Sequence, residues 1–284
     1  MDDLHGSTPH ARSDGLENCD AETKKRPLDG RMSLLLDRRD RTAWLTVDRP
    51  PLNVLDLTTL RQLQESLDSL AGDDGIDIVT IRGAGDRAFS AGVDVKDHAR
   101  EKVPEMLQAV HGAIRTLLAL PQVTVAVVRG ACLGGGFELA SSCDLILASE
   151  ESAFATPEIH VGCYPPVALA RFPSQIGYHR AAELILTGKT LTAQEALAMG
   201  LINRVAPASE LSQVVETLLD DLKGKSRAVL RIALKGLREI SAKDFSAALR
   251  RSEELYLDEL LKTEDVEEGV QAFLEKRKPR WRHR

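Results

Sequence analysis

The chain has 284 residues, with 37 Lys and Arg against 43 Asp and Glu, a net charge of -6. Hydrophobic residues at 43% and charged residues at 28% give a globular protein ample material for a core, and no apolar run approaches the roughly 18 residues of a membrane-spanning helix. The acidic balance and an aromatic content of 4% argue against a dedicated nucleic-acid binder, which needs a basic field and stacking platforms.

Residues 1–31 carry only Leu4, Leu16 and Leu28 as large aliphatics, so they cannot bury enough surface to offset ordering and are expected to be a disordered extension. Leu34–Asp37 and Thr42–Val47 read as two strands across an Arg39-Asp40-Arg41 turn. The prolines of Arg49-Pro50-Pro51-Leu52-Asn53 forbid regular pairing. Thr58 then caps an expected helix whose Leu60, Leu63, Leu67 and Leu70 recur at spacings of 3, 4 and 3. A strand over Ile78–Ile81 leads through a glycine loop to Phe89-Ser90-Ala91-Gly92. A helix over Val103–Leu120, a strand over Thr124–Val128, a short helix from about Gly136 and a strand over Asp144–Ala148 follow. Strand–strand–helix units with short links predict an α/β fold with parallel strands over residues 32–225. Beyond Ala181 the pattern is helical: Thr192 caps a helix to Met199, Leu211–Leu222 is periodic, and amphipathic segments fill Ala228–Leu261 and Val266–Lys276.

The chemistry centres on Gly134-Gly135-Gly136-Phe137-Glu138, where an apolar strand runs through three glycines into a helix. Backbone there can approach a ligand closely, and helix-start N–H groups suit a phosphate or a developing oxyanion; the plain alternative is a tight packing turn. A dinucleotide fingerprint is disfavoured, because G-x-G-x-x-G needs glycine where Leu139 stands. Glu138 and Glu158 both lie among apolar neighbours, so each must be paired, protonated or functional, and two of them offer an acid and a base for one water. Taken singly, either is as readily a carboxylate capping a turn. Phe89–Lys96 is a second small-residue loop, with Lys96 placed to meet an anion or simply solvated.

Together these pieces resemble the enoyl-CoA hydratase/isomerase (crotonase) superfamily. The resemblance runs from Leu34 to the C-terminus. It rests on Arg49-Pro50 with Asn53, Phe89–Lys96, Gly134–Ala140 with Cys143-Asp144, Thr156-Pro157-Glu158, Glu183–Gly188 with Ala193–Gly200, and Glu264–Lys278. It implies a spiral of ββα units with a helical C-terminal trimerisation region over 226–284. It further implies an oxyanion hole from the N–H groups of Val93 and Gly135, with Ala91 receiving the adenine amino group and Lys96 facing the CoA phosphates. By the same resemblance Glu138 deprotonates a water, Glu158 protonates the α-carbon, and Phe273 and Lys276 reach a neighbour's CoA. The partners implied are an acyl-CoA and further copies of the chain in a trimer or hexamer, with no cofactor besides the CoA that belongs to the substrate. Isomerase, acyl-CoA hydrolase and non-catalytic acyl-CoA- or RNA-binding relatives share the scaffold; the retained glutamate pair favours hydration, and a hydration assay separates them.

One departure concerns the acyl pocket. Gly162-Cys163-Tyr164-Pro165-Pro166 replaces a glycine-rich turn, so Tyr164, Pro165 and Pro166 are expected to form a rigid wall for a compact acyl group. The Pro50–Asp56 and Ser90–His98 stretches look like the branch that contains cyclic dienoyl-CoA hydratases. Val266, Val270, Phe273 and Leu274 form an apolar stripe at helical spacing, expected to join subunits. His98, His111 and His160 lack metal spacing and read as satisfied or exposed histidines, so no metal site is expected. The four cysteines contain no C-x-x-C pair and suit a reducing cytoplasm, with Cys132, Cys143 and Cys163 as core thiols. The basic tail from Lys276 reads as a solvated terminus.

Overall fold

A computed structural model describes residues 32–241 and 245–281; the extension expected over 1–31 and the last three residues of the basic tail lie outside the described residues. β1 (Leu34–Arg39) and β2 (Thr42–Val47) form a hairpin whose Asp40 and Arg41 both take positive φ, the geometry of a tight two-residue turn. α1 (Leu57–Ala71) buries the expected leucine stripe. Its N-cap, however, is Asp56 and not Thr58: Asp56 Oδ1 accepts the Thr59 N–H at 2.8 Å and the Thr59 hydroxyl at 2.7 Å. The carboxylate upstream is the stronger acceptor for the orphan donors, so the helix starts earlier.

The next three units repeat one plan. β3 (Ile78–Gly83) and β4 (Ala88–Ser90) precede a 3-10 turn, Val95–His98, and α2 (Val103–Ala119). β5 (Val123–Val128) and β6 (Ala131–Leu133) precede α3 (Gly135–Ser141). β7 (Leu145–Ser149) and β8 (Ala153–Ala155) precede a second 3-10 turn, Pro157–Val161, then α4 (Pro166–Ile176) and α5 (Tyr178–Thr187). β9 (Leu191–Thr192) leads into α6 (Ala193–Met199), which Thr192 caps as expected through a reciprocal pair with Glu195, and β10 (Arg204–Ala206) follows. In each unit the first strand joins a six-stranded sheet, ordered β1-β2-β3-β5-β7-β10, and the second joins a smaller one, ordered β4-β6-β8-β9. All pairings are parallel except β1 with β2 and β8 with β9. This is the crotonase-like spiral of ββα units. The three-residue strands of the smaller sheet are too short for a period of two to show in sequence.

Both faces of the larger sheet are covered, which is why β5 is apolar at every position but one and buried throughout. One face packs on α1 and α2 through Leu45, Val79, Ile81 and Ala126; the other packs Trp44, Ile78, Val125 and Leu147 under α7 (Leu211–Lys223). α8 (Arg227–Ser241) is tied to the sheet by Arg238 on Asp144, Nε to Oδ1 at 3.0 Å. α9 (Phe245–Asp258) packs on α4, and α10 (Glu264–Leu274) packs on both 3-10 turns. The apolar stripe expected to join subunits is therefore divided: Val266 and Val270 are buried against their own chain, while Phe273 and Leu274 are exposed.

α10 sits so close that a Cβ on Gly269 would overlap the Val161 carbonyl, whereas a Cβ on Gly236 of α8 meets nothing within 4 Å. Gly269→Ala should therefore destabilise the fold by about 1–3 kcal/mol, and Gly236→Ala should stabilise it by up to about 1 kcal/mol. Urea denaturation of the two variants checks the opposite signs.

Candidate active site

The loop before the first 3-10 turn and the start of α3 meet edge to edge. Leu55 forms an isolated parallel bridge with Val93, its N–H donating to Gly92 O at 2.8 Å and its carbonyl accepting the Asp94 N–H at 3.2 Å. That pattern spends the groups of residues 92 and 94 on Leu55 and turns the Val93 N–H to the other side. There stands Gly135: a Cβ built on it would lie 2.7 Å from Val93 Cγ2 and 3.5 Å from the Val93 nitrogen. Gly135 is the first residue of α3, and the first intrahelical bond, Glu138 N–H to Gly134 O at 2.9 Å, begins three residues later. The Gly135 N–H is therefore an orphan donor of the helix start. Asn53, buried with φ of +53°, braces the loop behind it by donating Nδ2 to Ala84 O at 3.0 Å and Ala88 O at 2.7 Å. The sequence motif included Asn53; its bracing role needed the fold.

Glu138, on the first turn of α3, is 3% exposed. Its Oε1 accepts the N–H groups of Val167 at 2.7 Å and Ala168 at 3.0 Å. Pro166, first residue of α4, has no N–H, so Val167 and Ala168 are that helix's first two donors and the carboxylate caps it. Burial pushes Glu138 up, opposed by the Ala168 N–H, by His111 and by the Val167 N–H. Glu158, on the second 3-10 turn, has only its own backbone N–H in support. The residue is partly exposed, but its Oε2 is buried and finds no partner among the described residues. Burial first, and then the charge of Glu138, push it up to about 8. Like charges in one dry site cannot both ionise readily, and the better-solvated member keeps the negative charge.

One cavity of about 20 Å³ brings together Val93, Gly135, Glu138, Glu158, Tyr164 and Pro166 of the residues expected from sequence. It adds His98, His111 and Tyr256, which the sequence reading had not placed there. His111 follows Leu107 and Val110 on the buried face of α2, a polar residue on an apolar stripe, and that was the available signal. Burial holds His98 below the usual histidine range. Pro165 is not at the cavity but is the buried N-cap residue of α4. Tyr164 is held by its hydroxyl donating to Ser252 O at 2.7 Å and by an edge contact with Tyr256. Ala91, partly buried, donates its N–H to Leu52 O at 2.9 Å; Lys96, Phe273 and Lys276 are exposed. The larger hollow, about 500 Å³, lies on the other face of the main sheet around Trp44, Arg39 and Arg82, away from both glutamates. Cys132, Cys143 and Cys163 are buried thiols, pushed up by burial, Cys163 to about 11. Among the described residues no group of three His, Cys, Asp or Glu is placed to hold a metal, and no helix is long and apolar enough to cross a membrane.

The backbone of Val93 and Gly135 and two unlike carboxyls are thus gathered around one small cavity. The family model for enoyl-CoA hydratase/isomerase matches residues 38–284, and the chain belongs to that family, whose members act on acyl-CoA thioesters. It is 32% identical over 258 residues to the carnitinyl-CoA dehydratase of Proteus mirabilis, covering 89% of this chain and 99% of that one. It is 30% identical over 253 residues to the cyclohexa-1,5-dienecarbonyl-CoA hydratase of Thauera aromatica, covering 89% and 97%. The crystal structure of an enoyl-CoA hydratase from Mycobacterium avium subsp. paratuberculosis superposes with a TM-score of 0.80 at 28% identity, over 88% of this chain and 98% of that one.

A carboxyl group raised from 4.5 to about 8 in the fold links stability to pH. Below about 4.5 both folded and unfolded states hold the proton. Between 4.5 and 8 only the folded state holds it, so the group's contribution is lost as pH rises. Glu158→Gln should thus match wild-type stability near pH 4 and exceed it by about 1–3 kcal/mol at pH 8. Urea melts of both proteins across that range measure the difference.

Proposed function

We propose that the chain adds water across the α,β double bond of an enoyl-CoA, with Glu138 and Glu158 as its acid–base pair and the N–H groups of Val93 and Gly135 as the oxyanion hole. The observation that carries this is the placing of two unlike carboxyls and two orphan donors around one small cavity. The thioester oxygen accepts from the two N–H groups, so charge that leaves the β-carbon collects where donors wait; each such donor is worth about 2.7–4 kcal/mol in the transition state. Glu138, the carboxyl with two N–H donors, takes the proton of the attacking water. Glu158, the one still protonated near neutral pH, gives its proton to the α-carbon. A shift of the double bond needs only one such group, so the retained pair favours hydration.

Ala91 receives the adenine amino group and Lys96 the CoA phosphates. Phe273 and Lys276, exposed at the end of α10, reach the CoA of a neighbouring copy in a trimer or hexamer. Val229, Ile232 and Leu237, exposed on α8, support such an assembly because single helices seldom leave three large aliphatics uncovered. The buried free thiols fit a cytoplasmic setting. The acyl group is compact or cyclic, such as cyclohexa-1,5-diene-1-carbonyl-CoA: the Thauera relative supports it, as does a wall in which Pro166 is locked at a helix start and Tyr164 is tied to Ser252.

Hydration assays on crotonyl-, hexenoyl-, decenoyl- and cyclohexadienoyl-CoA test both levels. A kcat/KM that peaks at cyclohexadienoyl-CoA is expected, and a peak at decenoyl-CoA rejects the compact pocket. Glu138→Gln and Glu158→Gln should each lower turnover by about 10²-fold or more while acyl-CoA still binds. Near-normal hydration by either variant removes that residue from its role.

A further inference from the structure

The cavity wall carries one member of a further acid–base pair, which the hydration steps above leave unused. His111 is 1% exposed and lines the cavity together with Glu138. Its Nδ1 lies 2.6 Å from Oε1 of Glu253 on α9, and the same oxygen accepts Arg115 Nη2 at 2.6 Å. Arg115 is half exposed and the Glu253 side chain 22% exposed, so the chain of contacts runs from the cavity wall to solvent. A carboxylate on one imidazole nitrogen decides which nitrogen carries the proton. With Nδ1–H donated to Glu253, Nε2 is left as a lone-pair base. Electrostatics join the three groups: once protonated, His111 opposes the upward push of burial on Glu138, and its hydrogen bond is the main cause that holds Glu253 below its ordinary range.

We propose that His111 and Glu253 form a proton relay that serves Glu138, a role that rests on the hydratase reading of Glu138. When water adds, one O–H bond breaks, the oxygen bonds to the β-carbon and the proton stays on Glu138. That proton must leave before Glu138 can act again as a base. His111 Nε2 takes it, the resulting imidazolium is stabilised by the Glu253 carboxylate, and the proton passes to solvent at the partly exposed end of the pair. Glu158, which gave its proton to the α-carbon, regains one from solvent as product departs, which balances the one the relay releases. In dehydration the same relay runs inward. Neither residue touches the reacting carbons, so both are positioning residues that act through Glu138.

The experiment compares wild type with Glu253→Gln, His111→Gln and the double variant. Glu253→Gln keeps its shape and lies at the open end, so folding is preserved there even if His111→Gln is less stable. The expected result is a kcat for crotonyl-CoA hydration lowered about tenfold in each single variant, with KM within about twofold, and a double variant no worse than His111→Gln alone. Added imidazole buffer should restore part of the loss. Unchanged kcat in Glu253→Gln, or a loss confined to KM or to melting temperature, overturns the relay. A second measurement needs no turnover and so separates this inference from the hydratase reading. In ¹H–¹⁵N spectra His111 should carry its proton on Nδ1, and Glu138→Gln should shift the Nε2 resonance. A proton on Nε2, or an Nε2 signal indifferent to Glu138→Gln, overturns it.

Discussion

The burial of two carboxyl groups around one small cavity governs the rest of the site. Neither can ionise there without help, and the fold helps one far more than the other. Glu138 receives two N–H groups from the start of α4, whereas Glu158 is left with a buried oxygen and no partner among the described residues. The asymmetry gives two chemically identical side chains unlike surroundings, which is the basis of the proposed division into base and acid. It also makes distant elements part of the chemistry. α4 must begin at Pro166 for its first donors to fall on Glu138, and α9 holds α4 and Tyr164 in place.

The second constraint is backbone proximity. Val93 and Gly135 come from different ββα units, and only a glycine at 135 lets the two chains meet without displacing Val93. Gly134, at φ of +53°, lies in the left-handed region that favours glycine, and a Cβ there, 2.6 Å from Glu158 Oε1, would push that carboxylate from its place. The glycine run is therefore needed twice, beside Val93 and beside the Glu158 carboxyl. The smaller sheet sets this meeting: β4 and β6 run side by side and deliver both loops to the same end.

Much of this was legible in the sequence, for reasons that differ by element. The leucine stripe of α1 and the all-apolar β5 announce themselves because burial on one face or two leaves a period. The glycine run and the two glutamates are visible because their residue types are out of place in apolar surroundings. Other features depend on tertiary meeting points. The strands of the smaller sheet are three residues or fewer, the cap at Asp56 wins by acceptor strength over a plausible threonine, and Pro166 reads as a wall until the fold shows it starting α4. His111 and Glu253 are 142 residues apart, and no local pattern links them. The stripe of α10 was recognised correctly as apolar, but half of it covers the chain's own 3-10 turn, which only packing reveals.

The asymmetry of the site rests on the proton held by Glu158, and carboxyl titration reads it directly. In ¹³C spectra of glutamate-labelled protein, the signal removed by Glu158→Gln should titrate with a midpoint near 8, and that midpoint should fall in Glu138→Gln, where the neighbouring charge is gone. A Glu158 signal already ionised at pH 6 and indifferent to Glu138→Gln would contradict the account, because the two carboxyls would then have no basis for dividing acid from base.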